Sequence, residues 1–185
     1  MFKIFKTVAI ALCVTVVSAL STLPTASAAE PPNQVQIADV GASVFGQRYN
    51  TIAAKLTNTP VGVNFKYDGS DENFDYYIGR VNQSSAIGLM VNKAGYVSMF
   101  MVFSNDFNEM MTMTICGLTA IGYDIRDEND KENVTRLLNG LQLNSREQSR
   151  WSWIKFPQEN RIIYANKILR SDVKYCLKFS AYELR

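Results

Sequence analysis

The chain has 185 residues, of which 19 are lysine or arginine, 17 are aspartate or glutamate, and none is histidine. Without histidine, the sequence excludes Ser-His-Asp and Cys-His catalysis and histidine-ligated metal centres. It also has no glycine-rich phosphate loop, no Cys-x-x-Cys pair and no cluster of basic residues, so we expect no cofactor and no nucleic-acid partner.

The first 28 residues have the pattern of an export signal. Lys3 and Lys6 precede an apolar segment at residues 7–20, and Ala26-Ser27-Ala28 is a small-x-small cleavage pattern. We expect cleavage near Ala28, a secreted or periplasmic protein, and no membrane insertion of the mature chain. An uncleaved membrane anchor is the alternative. Without Lys3 and Lys6, 17 basic residues would balance the 17 acidic ones.

The length of the mature chain suits one domain. Residues 29–42 are polar and include Pro31 and Pro32, which predicts a flexible lead-in. Residues 43–185 are predicted to be a single α+β domain. Its first helix is expected over residues 43–56, where Phe45 and Tyr49 recur at helical spacing and Ser43 can serve as N-cap.

Four strands are predicted next. Residues 61–67, 74–81 and 86–91 are bounded by turn sequences, and the first of them alternates clearly between apolar and polar side chains. Turns are expected at residues 68–71 and 92–95. Residues 96–103 are apolar on both faces except for Ser98, which predicts a central strand that is covered on both sides.

Two helices and three more strands complete the predicted order. Asp106 and Glu109 form a capping-box pattern at the start of the first of these helices. Its predicted buried face consists of Phe107, Met111, Ile115, Leu118 and Ile121. The second helix is expected from Asn129, with the buried stripe Val134, Leu137, Leu138 and Leu141.

The last strands are predicted at residues 151–156, 161–166 and 173–182. The order α-β-β-β-β-α-α-β-β-β indicates an α+β fold, an antiparallel sheet or sheets with helices packed on one side. The two successive helix-then-sheet segments also suggest tandem halves, and the pattern leaves open whether the sheet is continuous or split.

Methionine is the first candidate for chemistry. Met99 and Met101 would share one face of a strand, while Met110 and Met113 would lie one helical turn apart. Thioethers bind Cu(I), so four converging sulfurs would form a copper site. The favoured alternative is that methionine simply fills gaps in the core.

An acidic turn is the second candidate. Asp71, Asn73 and Asp75 have the alternation that begins a calcium-binding loop. Position six of that loop is Tyr76 rather than glycine, and position twelve is Asn82 rather than glutamate. The pattern therefore favours a solvated turn.

Trp151 and Trp153 form the third candidate, because alternate residues of a strand point the same way. If exposed, the pair would be a stacking platform for a sugar ring or a partner protein. If buried, it would be core, which is the favoured interpretation.

The mature cysteines are Cys116 and Cys176. An exported protein could join them in a disulfide. Both residues fall outside the main predicted apolar faces of their elements, so a disulfide and two free thiols both remain open.

These patterns predict an exported, non-catalytic binding protein with a protein or small-ligand partner. The alternatives are a carboxylate-based hydrolase, a methionine-rich Cu(I)-binding protein, and a purely structural role. A hydrolase would need two close, shielded carboxylates, and a structural role would need a large flat apolar interface.

Overall fold

The computed structural model describes residues 34–56, 61–143, 150–155 and 161–183. These residues form eight strands and three helices. In chain order they are β1 (Gln34–Val35), α1 (Ala42–Ala53), β2 (Phe65–Ser70), β3 (Phe74–Arg80), β4 (Ala86–Asn92), β5 (Val97–Ser104), α2 (Phe107–Ala120), α3 (Glu128–Gly140), β6 (Arg150–Lys155), β7 (Arg161–Lys167) and β8 (Tyr175–Glu183).

The strands form one continuous antiparallel sheet in the order β2-β3-β4-β5-β8-β7-β6, and β1 pairs with β8. Two meanders, β2 to β5 and β6 to β8, therefore meet where β5 pairs with β8. The predicted α+β class and the predicted order of elements are confirmed, and β1 is an addition to that order. The helices pack on one face of the sheet, with α2 against β5 and α3 against β6.

The segment before α1 differs from the predicted flexible lead-in. Val35 pairs with Ala181, and the backbone amides of Ile37 and Ala38 both donate to the carbonyl oxygen of Val97. Ile37 is fully buried. Residues 34–38 therefore belong to the folded domain. Two residues are too few to show the alternation of apolar and polar side chains that predicts a strand. β1 is therefore recognised only from its pairing with β8 in the structure.

β5 occupies the central position that its composition predicts. All eight of its residues are buried. Phe100 and Val102 belong to the core beneath the helices. Met99 and Met101 therefore point to the opposite face, because successive side chains alternate across a strand. Among the described residues, no helix combines the length and the apolar composition needed to cross a bilayer.

The start of α2 follows the prediction, whereas its buried face follows it only in part. The carboxylate of Asp106 caps the helix by accepting from the backbone amide of Glu109 at 2.8 Å. Phe107 is 37% exposed and packs edge-on against Tyr175. Leu118 and Ile121 are buried as predicted, whereas Met111 and Ile115 are only partly buried. Further fully buried positions of this helix include Met110, Met113, Cys116 and Ala120. Apolar residues lie nearly all round this helix, so their spacing does not select one face.

Candidate functional site

The face of the sheet opposite the helices, called here the second face, is identified by side-chain alternation. Phe100 of β5, Phe179 of β8 and Ile163 of β7 belong to the core beneath the helices, so their strand neighbours point the other way. Strand pairing extends this assignment from β3 to β6. One continuous row of cross-strand partners on the second face is Tyr76, Met90, Met99, Ser180, Tyr164 and Trp153.

Four aromatic residues lie together at the β6 end of the second face. Trp151 and Trp153 come from β6, Tyr164 from β7 and Tyr182 from β8, and we call this group the aromatic platform. The ring centroids of Trp151 and Tyr164 are 6.1 Å apart, and those of Tyr164 and Tyr182 are 5.0 Å apart in an edge-to-face arrangement. The platform thus extends across three strands.

The tryptophans of the platform are at the surface. Trp151 is 63% exposed and Trp153 is 50% exposed. The favoured interpretation of the pair as core is therefore wrong, and the structure has the exposed arrangement instead. The physical reason is the position of β6 at the end of the sheet, where the strand has a neighbour on only one side among the described residues.

The middle of the second face is apolar and closely packed. Met90, Met99, Met101 and Phe103 are each at most 6% exposed. Ser180 lies between Met99 and Tyr164, is fully buried, and its hydroxyl has no hydrogen-bond partner among the described residues.

One amine interrupts this apolar area. Lys178 lies between Met101 and Asn166, its cross-strand partners on β5 and β7. Burial lowers the pKa of the Lys178 amine, and the nearby Cys176 opposes this effect. Among the described residues of β5, β7 and β8, Lys178 is the basic residue that lies in the middle of the second face.

All charged residues of β6 and β7 are basic. β6 and β7 together contain four basic residues, Arg150, Lys155, Arg161 and Lys167, and no acidic one. Arg161 is paired with Asp39 at 3.1 Å, and Lys167 donates to the carbonyl oxygen of Gln142.

The remaining two cations lie at the two ends of β6. Arg150 and Lys155 are both exposed, and neither side chain has an ion pair with a described carboxylate. Burial lowers the pKa of the Lys167 amine, and the positive charge of Arg150 lowers it further. Lys155 therefore lies on the face of the platform, whereas Arg150 lies on the side of the helices with Ile154, and both are exposed cations at the ends of β6.

The four methionines of the predicted copper site do not converge. Met110 and Met113 are buried in the core beneath the helices, while Met99 and Met101 lie on the second face. The sheet separates the two pairs, so these four sulfurs do not form the candidate copper site. In the part of the chain that the structure describes, no three histidine, cysteine, aspartate or glutamate residues are grouped to hold a metal ion.

Cys116 and Cys176 are free thiols, and both are buried. Cys116 belongs to the core beneath the helices. Cys176 pairs with Phe103 on the second face. The alternative of a disulfide is therefore contradicted, because the two residues lie on opposite faces of the sheet. Burial raises the pKa of each thiol to about 12.

The acidic turn is a solvated turn, as the sequence favours. Asp71 accepts from the backbone amides of Asn73 and Phe74 and from the hydroxyl of Tyr76. Asp75 instead pairs with Lys93 at 2.7 Å. The carboxylates of Asp71 and Asp75 are thus engaged with donors of the protein itself.

A polar network that the sequence analysis missed connects the β3–β4 turn to α2. The carboxylate of Glu109 accepts from the amide of Asn82 at 3.0 and 3.1 Å and from the hydroxyl of Ser85 at 2.5 Å. Ser85 in turn is 2.8 Å from the hydroxyl of Ser104. A glutamate three residues after a helix cap is a local signal, but its partners 24 and 27 residues away are visible only in the structure.

Sequence reasoning found the tryptophans of the platform but missed Tyr164 and Tyr182. Both tyrosines lie in predicted strands, yet their place beside Trp153 depends on how β6, β7 and β8 pair. Comparison of the chain with protein-family models, with curated proteins and with solved structures found no match.

Proposed function

We propose that this protein is an exported, non-catalytic binding protein and that the aromatic platform is its contact surface. The observation that carries this proposal is the exposure of two tryptophans on one face of one strand, 63% for Trp151 and 50% for Trp153. Tryptophan and tyrosine are the residues most enriched at the centres of binding interfaces.

The energetics support the same proposal. Removing about 100 Å² of apolar surface from water contributes about 2.5 kcal/mol, and each tryptophan offers at least that area. The Tyr164 ring packs against Trp151 and restrains its side chain before binding. The platform therefore loses less side-chain conformational entropy when a partner binds. A partner that covers both indoles therefore gains substantial affinity from a small contact.

The polar groups of the described residues fit a binding role better than a catalytic one. The carboxylates of Glu109 and Asp130 accept from Ser85 and from the backbone amide of Asp124, so both hold neighbouring segments in place. The export part of the proposal depends on residues 1–28, which lie outside the described residues. Sequencing the amino terminus of the secreted product tests it, with Ala29 as the expected first residue.

The binding surface is tested with three variants and two panels of probes. Trp151→Ala and Trp153→Ala each remove one indole of the platform, while Tyr67→Ala removes a 60% exposed aromatic residue from β2, at the other edge of the sheet. Immobilised oligosaccharides and synthetic peptides serve as probes. We expect at least one probe to bind wild type and Tyr67→Ala equally and the tryptophan variants about tenfold more weakly or worse. If neither tryptophan variant lowers the affinity for any probe that binds wild type, the proposal is contradicted.

A further inference from the structure

We infer that the partner is an extended, acidic peptide segment that adds to the sheet as a strand along the outer edge of β6. This inference depends on the proposed function, because it uses the same tryptophans. It goes further by naming the class of partner and the way in which the partner binds. Strand addition to an exposed sheet edge combines backbone hydrogen bonds with contacts of alternate side chains.

The edge of β6 is regular. Its six residues pair with β7 from Arg150–Lys167 to Lys155–Ile162 without a register shift, and its sequence has neither proline nor glycine. No described strand pairs with the other side of β6. Ile168 of the same chain segment as β7 bonds to β8, so the alternation of an antiparallel ladder places the outward N–H and C=O groups of β6 on Trp151, Trp153 and Lys155. The Lys155 carbonyl oxygen accepts from the Tyr123 hydroxyl at 3.4 Å, so the template for a further strand consists mainly of the outward groups of Trp151 and Trp153.

The opposite edge of the sheet is different. β2 has a register shift between Tyr67 and Gly69, where a bulge interrupts its pairing with β3. Bulges at edge strands hinder the addition of another strand. Of the two ends of the sheet among the described residues, only the β6 end is built to accept one.

β6 is also held rigidly from the side of the helices. Ile154 is fully buried in the core, and Ser152 lies so close to Gly140 of α3 that a Cβ on Gly140 would be 2.3 Å from its hydroxyl oxygen. Trp151 and Trp153, on the other face, remain exposed. An added strand would place alternate side chains about 5 Å from the tryptophans, which is the spacing of cross-strand pairs.

The charge of β6 selects an acidic partner over a second copy of this chain. Exposed Arg150 and Lys155 stand at the two ends of the strand, and neither β6 nor β7 has a carboxylate. Two copies that paired through β6 would bring these positive charges together, which disfavours the pairing. A strand with carboxylates near its ends would instead be attracted.

The inference is tested with three synthetic peptides and the purified protein at low ionic strength. The first probe is acetyl-Glu-Val-Thr-Val-Thr-Val-Glu-amide. The second has lysine in place of both glutamates, and the third keeps the glutamates but has the backbone nitrogens of its five internal residues N-methylated. We expect the first peptide to bind about tenfold or more tightly than each of the others, because the second reverses the charge and the third cannot pair as a strand.

Variants of the protein complete the test. Arg150→Glu combined with Lys155→Glu should transfer the preference to the lysine peptide, while Tyr67→Ala should leave the affinity for every peptide unchanged. Trp153→Ala should weaken binding of the first peptide. Circular dichroism of each variant verifies that its fold is intact.

The other outcomes overturn the inference in distinguishable ways. Equal binding of the N-methylated peptide, or tryptophan-dependent binding of oligosaccharides and not of peptides, would refute strand addition but leave the proposed function standing. A concentration-dependent dimer that Trp153→Ala dissociates would identify a second copy as the occupant. If no probe of either class depends on the tryptophans, the inference and the proposed function both fail.

Discussion

The side-chain amide of Asn50 hydrogen-bonds both backbone polar groups of Val63. Its nitrogen donates to the Val63 carbonyl oxygen at 2.7 Å, and its oxygen accepts from the Val63 amide at 2.8 Å. Asn50 thus acts on this segment as a neighbouring strand would, and it joins α1 to the chain that leads into β2. Buried backbone groups need such partners, because leaving one unpaired costs free energy.

We predict that Asn50→Ala lowers the free energy of unfolding by about 1–2 kcal/mol, since two backbone groups lose their partner while alanine improves helix propensity slightly. Urea denaturation measures the change. Thr51→Ala is the matched control, because the Thr51 hydroxyl donates to Gln47 within the same helix at an exposed position. A loss for Asn50→Ala no larger than that for Thr51→Ala would contradict the prediction.

The close approach of α2 to β5 gives a second prediction. A Cβ on Gly117 would lie 2.6 Å from Cε2 of Phe100, whose ring is fully buried and stacks on Phe179 at 4.5 Å. We expect Gly117→Ala to destabilise the protein by about 1–3 kcal/mol, although alanine favours helices, because this ring has no room to move.

Gly88→Ala is the control for this prediction. A Cβ there would meet Phe103 at an ordinary 3.7 Å, so we expect a change of about 0.5 kcal/mol or less. Thermal unfolding of both variants compares them. If both substitutions lowered the stability equally, a clash between the new Cβ and the Phe100 ring would not be the cause of the loss in Gly117→Ala.

The acidic turn predicts a dependence of stability on pH. The hydrogen bond from Tyr76 is the main cause that lowers the pKa of Asp71 from 3.8, and bonds from the amides of Asn73 and Phe74 add to it. A carboxyl whose pKa is lower in the folded state stabilises the protein above pH ~4, and this contribution disappears as the pH falls further. Tyr76→Phe should therefore make stability depend less on pH as the pH falls below about 4.

The effect of Tyr76→Phe should stay below about 1 kcal/mol, because Asp71 is exposed and its interactions are screened by water. Urea midpoints of wild type and Tyr76→Phe at a series of pH values provide the measurement. An unchanged pH profile would mean that the Tyr76 hydroxyl does not act on Asp71.

The free thiols predict slow modification in the folded protein. Burial raises the pKa of both Cys116 and Cys176 to about 12, so only about one thiol in ten thousand is ionised at pH 8. We expect maleimide to label both residues slowly in buffer and rapidly in denaturant, as read by peptide mass spectrometry. Ser70→Cys, at an exposed position of β2, is the fast-reacting control. Rapid labelling of Cys116 or Cys176 without denaturant would contradict their burial.

The platform can be observed without any partner. Trp151 and Trp153 are the two tryptophans of the chain, so intrinsic fluorescence reports on this surface alone. We expect emission close to that of the unfolded protein and efficient quenching by acrylamide, because both indoles are at least half exposed. Blue-shifted emission that acrylamide barely quenches would place the indoles in the core instead.

The sequence predicted what depends on neighbours along the chain and missed what depends on the sheet as a whole. The cap of α2 at Asp106 and the central place of β5 follow from local patterns, and both were predicted correctly. That Trp151 and Trp153 share a face is also local, but whether that face is covered depends on which strands lie beside β6. The same limit explains Met99 and Met110, which are close in sequence yet separated by the sheet.

The place of β8 has a consequence for how the chain is made. β8 pairs with β5, β7 and β1, and all three partners precede it in the sequence. During synthesis, β5 therefore has β4 on one side but an unpaired apolar edge on the other until Tyr175–Glu183 has left the ribosome. Such an edge is prone to pair with other nascent chains. A general chaperone that shields β5 during this interval would raise the yield of folded protein, and early termination before β8 would leave a product that aggregates.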